Sequence, residues 1–276
     1  MNDESGEKPS TIPPKAYENP DFLHSRDARA IRILAEYQEP LSRFEHYDID
    51  DTIVFMGSAR IKSPEDAATM VAAAERGEGD KQAAARAERM SIYYEAARGL
   101  AFRLTEWSKG LGEDKRRFVV CTGGGPGIME AANRGASEAK GMNIGLTISL
   151  PFEKFENPYV SRELNVMFHY FFMRKFWFTY PAKAVVLFPG GFGTLDELFE
   201  ILTLAQTNKL NKRIPIVLFG REFWDEVVDF EALVRHKVIN RTDLDLFYKT
   251  DSVDEAFDYI TRELHEHAVE QPGWSL

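Results

Sequence analysis

Short, nearly continuous apolar runs alternate along the chain with longer stretches whose apolar positions recur at helical spacing. Residues 51–56 (DTIVFM) form the first run, which ends in Gly57-Ser58 and predicts a buried strand followed by a turn. Similar runs at 118–122, 144–150, 184–188 and 214–219 are each followed by glycine or proline and, in most cases, by a helical pattern. Strands of this kind alternating with helices predict an α/β fold, with a mostly parallel sheet covered by helices on both faces. Between the first two strands, residues 64–110 are rich in Ala, Glu and Arg and are broken at Gly77-Glu78-Gly79-Asp80, which predicts one short and one long helix. Upstream, Ile31, Leu34, Leu41 and Phe44 fit one helical face, although Pro40 should kink or split that helix. The chain therefore divides into a polar, proline-rich, disordered tail (1–22), an N-terminal helical extension (23–48) and a main domain (49–270). Residues 221–267 read as two amphipathic helices joined by a loop at 240–251.

Composition narrows the class. With 276 residues, 44% of them hydrophobic, the chain can bury a full core, which argues against a disordered or fibrous protein. A net charge of -10 opposes binding to nucleic acid or to an anionic membrane surface, and no basic patch large enough to offset it is visible. The single cysteine, Cys121, excludes an internal disulfide and a cysteine metal cluster, and it reads as a small buried hydrophobe on a strand. The first residues carry no apolar core of a secretory signal and no amphipathic Arg-rich transit pattern. The most apolar stretch, 167–178, is interrupted by His169, Arg174 and Lys175, so no membrane span is expected. These features predict a cytoplasmic protein.

Two glycine clusters carry the candidate chemistry. Gly123-Gly124-Gly125-Pro126-Gly127 follows the strand FVVCT and precedes a helical stretch. Glycines there let backbone N–H groups approach an anion, and the positive end of the following helix points at it. A tight strand-to-helix turn without ligand is the structural alternative. Pro189-Gly190-Gly191-Phe192-Gly193-Thr194 repeats the arrangement between AVVLF and an amphipathic helix, adding the Thr194 hydroxyl and, one turn on, the Glu197 carboxylate. A carboxylate so near a bound phosphate does not help to bind it; Asp196 reads instead as a charge that complements the helix dipole. At the carboxyl edge of a parallel sheet, two such turns would face one ligand. Neither cluster has P-loop spacing, and the first has the wrong spacing for a GxGxxG dinucleotide turn, which disfavours a kinase or a dehydrogenase.

A third feature is Met173-Arg174-Lys175 within the aromatic segment FHYFFMRKFWF. Cations among so many aromatics are costly to bury unless an anion meets them, so they form a candidate clamp. The aromatics read as core, and His169, with no nucleophile motif beside it, as structural. Glu163 and Asn165, just upstream, are candidates for ribose hydroxyl contacts, with a plain structural role as the alternative.

With Gly57-Ser58, GGGPGIMEA at 123–131, MRK at 173–175 and PGGFGTLDE at 189–197 in this order, the sequence resembles the LOG (Lonely guy) family of phosphoribohydrolases, often labelled lysine decarboxylases. The resemblance implies a Rossmann-like, doubly wound fold and a homodimer or larger assembly. It also implies hydrolysis of a nucleoside 5′-monophosphate, AMP-like or a cytokinin riboside monophosphate, to free base and ribose 5-phosphate. The catalytic pair would be Arg174 and Glu197. Gly190, Gly191, Phe192, Gly193 and Thr194 would hold the 5′-phosphate, with Lys175, Gly124 and Gly125 nearby and Gly57, Ser58, Met173 and Pro189 as further substrate contacts. No cofactor and no metal are implied. Phe172 stands where the short plant-activating members carry a histidine, and the N-terminal extension is long, so the preferred base does not carry over.

The chemistry is consistent on its own terms. Breaking an N-glycosidic bond builds positive charge on the ribose, which an anionic Glu197 beside the anomeric carbon would stabilise while orienting water. Arg174 stays charged at neutral pH and suits electrostatic positioning rather than proton donation. No second carboxylate and no general acid are evident. A non-catalytic carrier of a nucleotide or phosphorylated cofactor is the competing reading. A pyridoxal-phosphate decarboxylase lacks a recognisable Schiff-base lysine motif, and a single-strand DNA binder lacks a basic, aromatic groove.

Overall fold

The computed structural model describes residues 13–112, 115–149, 156–210 and 212–273. In chain order the helices are α1 (Pro20–Leu23), α2 (Arg29–His46), α3 (Pro64–Glu75), α4 (Lys81–Lys109), α5 (Ile128–Glu138), α6 (Phe171–Thr179), α7 (Phe192–Gln206), α8 (Arg221–Val227), α9 (Phe230–Arg235) and α10 (Val253–His267). The strands are β1 (Thr52–Met56), β2 (Val119–Thr122), β3 (Asn143–Ile148), β4 (Asn165–Phe168), β5 (Ala182–Leu187), β6 (Ile216–Phe219) and β7 (Phe247–Thr250). They form one sheet in the order β4-β3-β2-β1-β5-β6-β7, with every pairing parallel. The fold is α/β and Rossmann-like: from β1 the chain adds strands outward to β4, then returns to the other side of β1 with β5.

The nearly continuous apolar strands serve two cores, because successive side chains point to opposite faces. On β1, Val54 and Met56 join a cluster with Leu198 of α7, Trp177 of α6 and Phe44 of α2. Ile53 and Phe55 join the opposite cluster with Leu100 of α4, Ile128 of α5 and Ile260 of α10. Cys121 is fully buried among the first set, as its position on a strand predicts.

Several elements differ from the sequence expectations. Of the predicted tail, residues 1–12 lie outside the described residues, whereas residues 16–18 form a 3-10 turn and α1 follows, capped by the Asn19 side chain. Pro40 neither kinks nor splits α2, which runs unbroken through it. A proline leaves the carbonyl four residues earlier without its N–H partner; here the Trp177 indole N–H donates to that carbonyl, Glu36 O, at 3.0 Å. The edge strands β4 and β7 were not expected: β4 ends where the aromatic segment begins, and β7 lies in the expected 240–251 loop. Each has a single neighbour; β4 is only four residues long and starts at the polar Asn165, and Lys249 interrupts β7. The C-terminal region accordingly holds three short helical elements and a strand before α10, not two helices.

Candidate functional site

The two glycine turns leave the sheet from β2 and β5, the strands on either side of β1. The β1 turn, residues 57–60, lies between them, and a cavity of about 590 Å³ opens at their shared edge. It is lined from β1 and its turn by Met56, Gly57, Ser58 and Arg60, from the first glycine turn by Gly123, from α5 by Met129, from α6 by Arg174, and from the second glycine turn and α7 by Gly191, Phe192, Gly193, Thr194 and Glu197. This is the carboxyl-edge crevice, beside the point where strand order reverses, in which open α/β sheets bind ligands.

Glycine is required where these turns approach one another. Gly127 has φ +69°, and a Cβ there would lie 2.4 Å from the Ser58 carbonyl oxygen, so only glycine lets the first turn pack against the β1 turn. Ile128 N–H then donates to Ser58 O at 3.2 Å. At Gly190 a Cβ would meet Thr194 Oγ1 at 2.1 Å. The Thr194 hydroxyl is thus folded back against the turn, next to the first N–H groups of α7, which have no partner within the helix.

Arg174 and Glu197 face each other across the cavity. Arg174 Nη2 stands 3.9 Å from Glu197 Oε1, too long for a hydrogen bond and close enough for strong electrostatic coupling. The guanidinium lies over the rings of Phe171 and Phe178, at 5.2 and 5.5 Å, and its Nε is buried with no hydrogen-bond partner among the described residues. Burial draws the Arg174 pKa below its ordinary value, opposed by Glu197 and Asp196. Glu197 is only 6% exposed. Burial raises its pKa from the ordinary 4.5 to about 7, against the lowering influence of Arg174 and then Lys175. The site thus holds a carboxylate poised near neutrality and a cation with an unused donor.

Other residues singled out from the sequence fall elsewhere. Lys175 does not line this cavity; its ammonium is held 2.9 Å from both Asp196 and Glu200 on α7. Asp196 therefore serves as the partner of Lys175. Met173 is buried in the core. Pro189 and Gly190 border a neighbouring cavity behind the second turn, together with Ser58 and Arg60. The N–H of Gly124 is taken by Thr122 Oγ1 at 2.9 Å, and Gly125 lies beneath the Met129 side chain. Glu163 borders a separate groove with Arg43 and His46, and its carbonyl, like that of Asn165, accepts from Arg43 Nη1 at 3.0 Å. The side chain of His169 is exposed, in keeping with a structural role.

Two features escaped the sequence reading. Arg60 lines the cavity from the β1 turn, and its signal was a cation two residues after Gly57-Ser58. Beneath the first glycine turn lies a buried amide network: Asn133 Oδ1 accepts from Thr122 Oγ1 at 2.6 Å and from Asn157 Nδ2 at 3.0 Å, while Asn133 Nδ2 donates to Asn143 Oδ1 at 2.8 Å. Such a satisfied network fixes the turn's backbone. An asparagine amid the alanines of α5 was the available clue.

Fold and site together define a Rossmann-like α/β protein with two glycine turns and an Arg–Glu pair at the edge of its sheet. Residues 129–260 match the model of the family described as "Possible lysine decarboxylase". Over those residues, just under half of its length, the chain is similar to this family. Over 115 residues it is 35% identical to the pyrimidine/purine nucleotide 5′-monophosphate nucleosidase of Escherichia coli K12, an alignment covering 38% of this chain and 25% of that protein. The chain thus matches about a quarter of the length of that relative. Among solved structures, TM1055 is 22% identical, covering 77% of this chain and 99% of that one, with a TM-score of 0.44. The molybdenum cofactor carrier protein from Chlamydomonas reinhardtii is 16% identical, covering 78% and 99%, with a TM-score of 0.45.

Proposed function

We propose that this protein hydrolyses the base-to-ribose bond of a nucleoside 5′-monophosphate, releasing free base and ribose 5-phosphate. The observation that carries the reading is the pairing of a buried carboxylate near neutrality with a facing cation beside the glycine-lined N-terminus of α7. The named activity of the E. coli relative, over the matched stretch, points the same way.

In this reading the N–H groups at the start of α7 and the Thr194 hydroxyl take the 5′-phosphate, which neither needs nor tolerates a carboxylate at the same spot. Glu197, 3 residues further along the helix, then reaches the ribose rather than the phosphate. As the base departs, positive charge grows on the anomeric carbon and ring oxygen. Ionised Glu197 stabilises that charge and accepts a proton from the attacking water, while the departing base takes up a proton from solvent. Arg174 supplies a fixed positive charge and its unused Nε–H to the phosphate, ribose or departing base. Arg60 adds a second cation on the side of the β1 turn. The chemistry calls for no cofactor.

The phosphate cradle makes a direct demand on substrate choice. Incubation with AMP should yield adenine and ribose 5-phosphate, whereas adenosine, lacking the phosphate, should react with kcat/KM lower by about 100-fold or more. Binding of AMP without release of base, under conditions where Glu197 is ionised, would contradict hydrolysis and favour a carrier.

A further inference from the structure

We infer that Glu36, on the N-terminal extension, is a positioning residue that holds Arg174 in register with Glu197. The inference deepens the proposed reaction and rests on that reading for its activity readout only.

The contacts form a short chain. Glu36 Oε1 accepts from the His169 N–H at 2.7 Å and Oε2 from the Tyr170 N–H at 3.2 Å, immediately before the first residue of α6. Tyr170 is the N-cap of α6, and its side chain makes no capping bond; the anion of Glu36 instead takes the N–H of the cap residue and of the residue before it, at the positive end of the helix. The Tyr170 carbonyl in turn accepts the N–H of Arg174 at 3.2 Å, so the turn that Glu36 holds is the one from which the Arg174 side chain projects. At the other end of α6, the Trp177 indole N–H donates to the Glu36 carbonyl at 3.0 Å, the acceptor vacated by Pro40. The ring of Tyr37 packs on Phe176 and Trp177, with centroids 5.6 and 6.1 Å away. One residue of α2 therefore bonds both the start and the last turn of α6, through its side chain and its backbone.

The site needs such a brace. The Arg174 guanidinium has no hydrogen bond to Glu197 that would anchor it, because the gap is 3.9 Å. Its Nε has no partner among the described residues. The placement of its charge thus depends on the backbone of α6, whose first turn is tied down by Glu36. The edge strand β4, which leads into α6, has only β3 as a sheet neighbour, and Arg43 of the same α2 grips its first residue through the Asn165 carbonyl. A displacement of about 1 Å at such a group is enough to cost a large fraction of the rate.

The test combines kinetics with a titration of Glu197 itself. The carboxylate is faced by Arg174 and Lys175 from α6 and by Asp196 and Glu200 from its own helix, with Arg60 across the cavity. Withdrawing Arg174 removes the strongest influence that keeps the Glu197 proton acidic, so its titration must move to higher pH. In Glu36→Ala the carboxyl carbon-13 signal of Glu197 should titrate about half a pH unit or more above wild type. Turnover should fall by about 10- to 100-fold, with KM changed by less than about 3-fold. Glu36→Gln, which keeps one acceptor oxygen, should lie between the two. Arg32→Ala serves as the control: it releases the Leu23 and Ser25 carbonyls in the segment before α2, so it should lower stability without moving the Glu197 titration. An unchanged Glu197 titration in a folded Glu36→Ala or Glu36→Gln protein would overturn the inference, whatever happened to stability. If wild type releases no base, the proposed reaction fails, yet the titration still decides the role of Glu36.

Discussion

Glu197 and Arg174 are opposite charges held 3.9 Å apart, inside the range of strong coupling and outside that of a hydrogen bond. Burial outweighs the cation beside the carboxylate, which therefore titrates at about 7. In the proposed reaction the ionised form is the active one, so kcat/KM should climb about tenfold per pH unit below about 7 and level off above it. A profile flat from pH 5 to 8 would contradict this. The same carboxylate costs stability. Its folded pKa lies above the ordinary 4.5, so its stabilising contribution is complete below about 4.5 and is lost as pH rises through about 7. Glu197→Gln should therefore raise the thermal midpoint at pH 8, by an amount on the order of 1–3 kcal/mol in stability, while abolishing turnover; a lowered midpoint would show that the buried charge is better compensated than described. Both members of the pair were legible in the sequence, from PGGFGTLDE and from MRK embedded in aromatics. The role of Lys175 was not, because its partners Asp196 and Glu200 come from another helix. Lys175→Met should leave the KM for AMP within about 3-fold of wild type while moving the acid limb upward, since Lys175 also helps keep Glu197 ionised.

At the scale of elements, the site is made by strand-to-helix turns, and their glycines are where the sequence spoke most clearly. Gly190→Ala would drive a methyl group into the Thr194 hydroxyl, 2.1 Å from the position of a Cβ. It should raise the KM for AMP by about tenfold or more, with a smaller change for adenosine; equal effects on both would argue that the second turn does not hold phosphate. The central strands were equally plain, since residues buried on both faces leave an unbroken apolar run. The edge strands β4 and β7 were missed for the converse reason: one neighbour and one wet face make their sequences resemble loops. Pro40 misled in another way. Its local rule is sound, but an indole from α6, far along the chain, supplies the missing donor. A contact of that separation leaves no trace in a local pattern.

Across the whole molecule, the order β4-β3-β2-β1-β5-β6-β7 brings turns that are far apart in sequence to the two sides of β1. This juxtaposition was predictable from parallel topology alone. The contribution of the extension was not, because nothing in residues 23–48 announces that α2 would brace α6. Phe192 at the cavity is 92% exposed, and Phe171 and Phe172 at the start of α6 are 52% and 54% exposed. Neighbouring exposed aromatics of this size favour burial against another surface. Sedimentation should accordingly reveal a species at a multiple of the 31.5 kDa chain mass, and a purely monomeric protein at micromolar concentration would contradict that expectation. The central claim concerns the reaction, and the most direct measurement is release of free base from AMP, GMP, IMP, CMP and UMP, separated by chromatography, with wild type and Glu197→Gln side by side. Base and ribose 5-phosphate should form in equal amounts from at least one nucleotide, reduced by about 100-fold or more in the variant. Nucleotide binding with no base released from any of them by wild type, or undiminished release by Glu197→Gln, would contradict it.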